Sequence, residues 1–260
     1  MNRQLTIFIV NVYNCSVKYK GSDIVKEEIT VSIKKIKKKK KIIKIAKLTL
    51  LVLLLLLLML YVVMRIIYNN GNFSITLDKN LYFERGIIIY DDPLYKVYRE
   101  ELYAKAVDYF DNISYKWLPD DLNDYDGSHN GDNYIAYTFY IENTGNDVSD
   151  YWTEIIIDDV VKNVDEAVRI RVYKNGEAKT YAKIGANGNP ERDTIPFKTS
   201  NLVVADHVEN FKPGDIDKYT IVMWIEGSDP ECTDNILGGE IKAHMEFNSE
   251  FKQVMDDNKE

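Results

Sequence analysis

The run Leu48-Thr-Leu-Leu-Val-Leu-Leu-Leu-Leu-Leu-Leu-Met-Leu-Tyr-Val-Val-Met64 holds 17 residues without a charge and is followed by Arg65, then Ile66, Ile67 and Tyr68. At a rise of about 1.5 Å per residue, a helix from Leu48 to Tyr68 just crosses a hydrocarbon core of about 30 Å. Lys47 and Arg65 can snorkel to the two interfaces. A helix buried in a water-soluble core is normally shorter and carries one apolar stripe, whereas this run is apolar all round. The expectation is a single transmembrane helix over 48–68.

Charge sets the direction. Residues 1–47 hold 13 Lys/Arg against Asp23, Glu27 and Glu28, and residues 66–260 hold 19 Lys/Arg against 38 Asp/Glu, so a net +10 tail precedes a net −19 domain. The block Lys34-Lys-Ile-Lys-Lys-Lys-Lys-Lys41, with Lys44 and Lys47, abuts the span. The positive-inside rule then puts residues 1–47 in the cytoplasm and the C-terminal domain outside, at a cell membrane. A cleaved export signal, which would release the domain, is the competing reading. Against it, the apolar run is long and Tyr61-Val-Val-Met-Arg-Ile-Ile-Tyr-Asn-Asn70 contains no small-x-small site. A retained signal anchor is therefore expected.

The lysine block needs no partner beyond the membrane surface, since nothing aromatic is interleaved for base stacking. An acidic exterior likewise argues against nucleic acid. The only cysteines, Cys15 and Cys232, fall on opposite sides of the span, which forbids an intrachain disulfide in this topology. Cys232 is left free or available for an intermolecular disulfide.

Along the chain, Leu5–Val10 and Glu28–Ile33 read as strand-like pieces within the basic tail. After the span, Leu81–Tyr90 reads as a strand. Asp92-Pro93 then offers an N-cap and a first-turn proline, and Leu94, Tyr98, Leu102, Ala106, Tyr109 and Ile113 recur at a spacing that predicts an amphipathic helix of about five turns. Short β segments follow: Tyr134–Ile141 and Tyr151–Ile157 around a turn at 143–147, and Ala167–Tyr173 and Ala178–Ala182 around Asn175-Gly176, a strong hairpin signal. Alternation is clearest in Tyr219, Ile221, Met223, Ile225 and in Ile241, Ala243, Met245, Phe247. The expected architecture is mainly β: a transmembrane helix (48–68) after a basic cytoplasmic tail (1–47), a connecting region with a strand and an amphipathic helix (69–131), an antiparallel, jelly-roll-like β-sandwich (132–250) and a polar tail (251–260).

Chemistry is harder to find. His129, His207 and His244 form no His-x-x-x-His pair, and a nucleophile elbow, a phosphate-binding glycine loop and a dinucleotide fingerprint are all missing. One acidic loop, Asp120–Asp132, is a weak Ca²⁺ candidate, because Asp121, Asp124, Asp126 and Asp132 could supply the oxygens that a hard cation wants. Its EF-hand register fails, with Leu122 at position one when Gly127 takes position six. No other cofactor is expected.

Tyr140-Ile-Glu-Asn-Thr-Gly145 and the tail Phe211-Lys-Pro-Gly-Asp-Ile-Asp-Lys-Tyr-Thr-Ile-Val-Met-Trp-Ile-Glu-Gly-Ser-Asp-Pro-Glu-Cys232, running on to Gly238-Gly-Glu-Ile-Lys242, resemble the camelysin and TasA-like group of bacterial surface proteins. The likeness covers about residues 132–250. It implies an extracellular jelly-roll-like sandwich serving in cell-surface or biofilm-matrix fibres. The chain departs from the group in showing no clear cleavable signal, and no metal motif supports the peptidase label that some members carry. Physically, the tail residues read as turn and strand determinants: Gly214 sets a turn, Trp224 and Ile225 take opposite faces, and Gly227 lets the chain leave the sheet.

The functional expectation is a non-enzymatic, membrane-anchored surface protein whose acidic domain binds surface or matrix proteins or associates with itself. The alternative is a single-pass sensor reporting to the cytoplasmic tail.

Overall fold

The computed structural model describes residues 23–68, 73–107, 109 and 111–251, with side chains over 35–64 and, within those bounds, from 73 onward. It divides into two compact units, Met1–Arg65 and Ile66–Glu260.

The first contains one helix, α1 (Asp23–Tyr68), 46 residues long. Its window Lys35–Met64 is long and apolar enough to cross a membrane, and none of it is buried against protein. The helix begins well before the apolar run and includes Glu28–Ile33, which corrects the strand expected there. A strand needs a neighbour to take its backbone hydrogen bonds, whereas a helix satisfies them within its own segment. The other strand expected in the tail, Leu5–Val10, lies outside the described residues.

The second unit is built from two sheets. One has five strands, in the order Leu202–Phe211 (β10), Ser149–Val161 (β6), Glu240–Asn248 (β12), Phe73–Leu77 (β1) and Glu101–Tyr103 (β3). The other has seven: Ile87–Tyr90 (β2), Ile135–Asn143 (β5), Ile216–Ile225 (β11), Val168–Lys174 (β7), Glu177–Ala182 (β8) and Ile195–Pro196 (β9) in order, with Gly127–Ser128 (β4) also pairing with β5. Pairing is antiparallel except that β1 runs parallel to β12, and β8 parallel to β9. The purely antiparallel arrangement expected is thus modified at two places. The turn at 143–147 joins β5 to β6 in different sheets, while Asn175 and Gly176, both at positive φ, close the β7–β8 hairpin as expected.

The period-two pattern marks the core face of both β11 and β12, with Ile225 at the end of β11 only partly buried. Tyr219, Ile221 and Met223 on β11 and Ile241, Ala243, Met245 and Phe247 on β12 are all buried, and residues of both sheets contribute to one core. Phe247 sits at its centre, its ring 5.7 Å from Phe139, 5.7 Å from Tyr151 and 5.5 Å from Tyr219. Beside this ring cluster a polar knot is satisfied internally. The Tyr151 hydroxyl donates to Asp217, Asn175 Nδ2 donates to Asp217 Oδ1 at 2.7 Å, and Lys174 Nζ lies 3.2 Å from Asp217. Burial pushes the Tyr151 phenol up, so it remains a donor.

Residues 79–113 require two corrections. The stretch expected as a strand from Leu81 begins as a short helix, α2 (Lys79–Arg85), capped by the Asp78 side chain at Asn80 N and closed by left-handed Gly86; only Ile87–Tyr90 is extended. Among the described residues of 92–113 there is no α-helix where the five-turn amphipathic one is expected. Asp92 does cap a turn, accepting from Leu94 N and Tyr95 N, but the turn closes with Lys96 N on Asp92 O, and Lys96 leaves it at positive φ. Leu102 then enters β3 against Ile75 of β1, and Tyr98 stacks on Tyr82 at 4.0 Å. Of the residues at that spacing, Leu94, Ala106 and Tyr109 are exposed and only Leu102 lies in a strand, where it pairs with the edge of β1.

Candidate functional site: a cleft on the outer face of the seven-stranded sheet

Alternation along β11 and β7 places Trp224 and Val222, and Arg169 and Arg171, on the face of the seven-stranded sheet away from the shared core. Residues 112–125 cover only part of that face. Ile113, Leu118 and Leu122 pack on Ala136, Val222 and Trp224, and Ile113 is tied to the end of β11 through Ile113 N to Ile225 O and Gly227 N to Ile113 O, both 2.9 Å. A Cβ at Gly227 would lie 2.5 Å from Asn112 Oδ1, so a larger residue there would displace the Asn112 side chain. Over β7 and β8 the face stays open as a cleft of about 430 Å³. Its floor is Arg169, Arg171, Thr180 and Trp224, and its walls are Ser114–Lys116 and Glu191–Thr194.

The floor is rigidly held. Arg171 Nε donates to Thr180 Oγ1 at 2.9 Å and its guanidinium lies 5.3 Å from the centre of the Trp224 ring. Trp224 Nε1 donates to Glu226 at 3.0 Å, and Glu226 also accepts from Tyr115 N at 3.0 Å and from the Ser228 hydroxyl at 2.7 Å. Burial opposes the Glu226 charge, but these donors outweigh it and hold the carboxyl below its usual range.

Arg169 is the buried hinge between the cleft and the loop after β11. Its Nη2 donates to Asp229 and, at 3.3 Å, to Glu191. Asp229 Oδ1 accepts from Glu231 N at 2.8 Å, and Glu231 Oε1 accepts from Ala186 N at 2.9 Å. Glu191, Asp229 and Glu231 are the one group among the described residues whose carboxylate oxygens all lie within 4.8 Å of one another. Burial, then contact with the Glu231 carboxyl, pushes Asp229 up to about 6, while Glu231 is held down chiefly by its bond with Asp229. Asp229 and Glu231 stand as an interacting acid pair beside Arg169, and Glu231 Oε2 is buried without a hydrogen-bond partner. With Arg169 already donating into this group, these residues are occupied as an ion-pair cluster.

The four aspartates singled out in the sequence do not converge. Asp121 accepts from the Tyr125 hydroxyl at 2.8 Å and Asp126 from the Tyr140 hydroxyl at 2.6 Å, and no three of Asp121, Asp124, Asp126 and Asp132 meet the spacing found at Asp229. Two of the loop's acids thus serve tyrosines. Cys232 is half-buried and unbridged in a second cavity of about 270 Å³ with Asp234 and Glu240. Burial, then the charges of Asp229 and Glu226, push its thiol up, which suppresses the thiolate that disulfide exchange needs. His129 bridges Leu122 O and Gly127 O, and His244 pairs with Asp158 at 2.8 Å.

Sequence reasoning missed Arg169, Arg171 and Glu191. A signal existed in Arg169-Ile-Arg171, two cations on one face of a strand, but Glu191 reaches it only through the path of residues 183–194.

No protein-family model matches the chain, and no curated protein matches it. Among solved structures it is similar to a β-glucosidase from Kluyveromyces marxianus in complex with glucose, at 14% identity and a TM-score of 0.21, covering 64% of this chain and 15% of that one. The selenomethionine-labelled form of that enzyme gives 12% identity, a TM-score of 0.21 and coverage of 61% and 16%. The chain spans less than a fifth of those enzymes, and a likeness this slight carries no argument.

Proposed function

We propose that this chain is a non-enzymatic, membrane-tethered surface protein whose acidic ectodomain, a jelly-roll-like β-sandwich, binds or assembles with other surface or matrix components, as its resemblance to the camelysin and TasA-like group implies. The observation that carries the reading is the exposure of α1: every residue from Leu48 to Met64 is solvent-facing, in a unit separate from the one that holds the core. Each large aliphatic side chain left in water forgoes about 1.5–3 kcal/mol, a penalty that a bilayer removes and that the lysines preceding the run tolerate at its inner surface. The tail motif supports a binding role over a catalytic one, because Trp224, Glu226, Gly227 and Asp229 are all consumed in holding the face of the sheet together.

The test is membrane fractionation with protease shaving of intact cells expressing the full chain. The protein should stay in the pellet after alkaline carbonate, with fragments of 73–250 released by the protease and residues 1–47 protected. Recovery in the carbonate supernatant, or release of tail peptides from intact cells, overturns the reading.

A further inference from the structure

We propose that the cleft over β7 and β8 is a recognition site for an oxyanion carried on a ring-sized body, such as a uronic acid or a sugar phosphate; the biological setting rests on the surface-protein reading above, the binding chemistry does not. The cleft lies in a domain of net charge −19, yet its lining reverses that sign: Lys116, Arg169, Arg171 and Arg192 face Glu191, Asp193 and Glu226. The three acids are already engaged. Glu226 is held by Trp224, Tyr115 N and Ser228, Glu191 by Arg169, and Asp193 by Arg192 at 3.3 Å.

Two cations are left over. Arg171 has no carboxylate within ion-pair distance among the described residues, and Lys116 has none either, its ammonium lying 5.9 Å over the Tyr115 ring. Arg171 is the stronger of the two. Its Nε is fixed on Thr180 and its guanidinium carbon lies 5.3 Å from the centre of the Trp224 ring, which restrains the side chain and leaves its two terminal nitrogens as the donor edge that a carboxylate or phosphate takes in bidentate fashion. Ordering that donor in advance removes part of the entropic cost of binding. A structural Arg–Trp contact alone would not require an open volume beside it. Here about 430 Å³ adjoins the cation, within the range of small-ligand sites and sufficient for a hexose ring. Tyr115 and the hydroxyls of Ser114, Thr180 and Thr194 line the remainder and suit the hydroxyls of a sugar.

The test is isothermal titration of the full chain in detergent micelles with glucuronate, glucose 6-phosphate, inorganic phosphate and glucose. Saturable binding of glucuronate or glucose 6-phosphate, with glucose at least tenfold weaker, is the expected result. The two acids distinguish a carboxylate source from a phosphate one, and inorganic phosphate binding as tightly as the sugar phosphate would contradict the ring-sized body. Arg171→Met should weaken the preferred acid at least tenfold and Lys116→Met several-fold, while Lys212→Met, on an exposed turn away from the cleft, changes nothing. Lys116 is exposed and makes no core contact, so its variant stays interpretable even if Arg171→Met unfolds. No binding at millimolar acid, equal binding of glucose, or a Lys116→Met variant with wild-type affinity overturns the proposal.

Discussion

Arg169 on β7 and Asp229 in the loop after β11 pair with 5% and 0% of their side chains exposed, joining positions 60 residues apart behind the floor of the cleft. Nothing adjacent in sequence marks them as partners. Fully stranding one member of a buried pair costs about 3–5 kcal/mol, and loss of Asp229 leaves Arg169 only the longer 3.3 Å contact with Glu191, so the cost should approach the lower end of that range. Asp229→Ala should therefore lower the thermal midpoint of the full chain in micelles by about 2–4 °C per kcal/mol. A change within error would show that the pair adds nothing to the fold.

The same aspartate gives a pH signature. Its carboxyl is pushed up to about 6, above its unfolded value, so the folded state holds the proton more tightly. Stability from this group is full below about pH 4 and is lost as pH rises through 6. Glu231 acts with the opposite sign, because its carboxyl is held down and its contribution is lost only as pH falls below its ordinary range. Between pH 5 and 7 the Asp229 effect is therefore not offset by Glu231. The wild-type midpoint should fall across that window relative to Asp229→Asn; parallel curves would contradict the assignment.

Phe247 is fully buried against Phe139, Tyr151 and Tyr219, rings drawn from both sheets. Phe247→Ala should cost about 3–5 kcal/mol, measured by chemical denaturation. A loss under about 1 kcal/mol would mean that the two sheets do not depend on this contact.

Two glycines at positive φ should differ. A Cβ on Gly86 would meet Gly145 Cα at 2.6 Å, backbone against backbone, whereas Gly176 has open space. Gly86→Ala should destabilise by more than Gly176→Ala, whose cost is the left-handed strain of about 1–2 kcal/mol alone. Equal losses in a paired denaturation experiment would remove the close approach of the α2 cap to the 143–147 turn.

Legibility in the sequence followed distance along the chain. The β7–β8 hairpin is written in Asn175-Gly176, and the buried faces of β11 and β12 in their alternation, because both signals are local. Residues 92–113 misled because apolar spacing alone does not oblige a helix: Leu94, Ala106 and Tyr109 stay exposed, and Leu102 is buried by pairing with Ile75 at the edge of β1. The parallel pairing of β1 with β12, which sets Ile75 beside Met245, has no local signature at all. The cleft failed for the same reason: Arg169 and Arg171 were readable as a two-cation strand face, but Glu191 and Asp229 join them only through the register of three elements. Asp78 and Gly86, a cap and a left-handed stop around α2, are local signals that outweigh the apolar residues between them.

The central claim, a tether with the β unit outside, is tested most directly by single-cysteine labelling of intact cells with a membrane-impermeant maleimide. In a chain lacking Cys15 and Cys232, Glu250→Cys supplies an exposed thiol in the second unit, and the complementary chain keeps Cys15 alone. The account predicts rapid labelling at position 250 on intact cells and labelling of Cys15 only after permeabilisation. The reverse pattern, or equal labelling of both before permeabilisation, contradicts it.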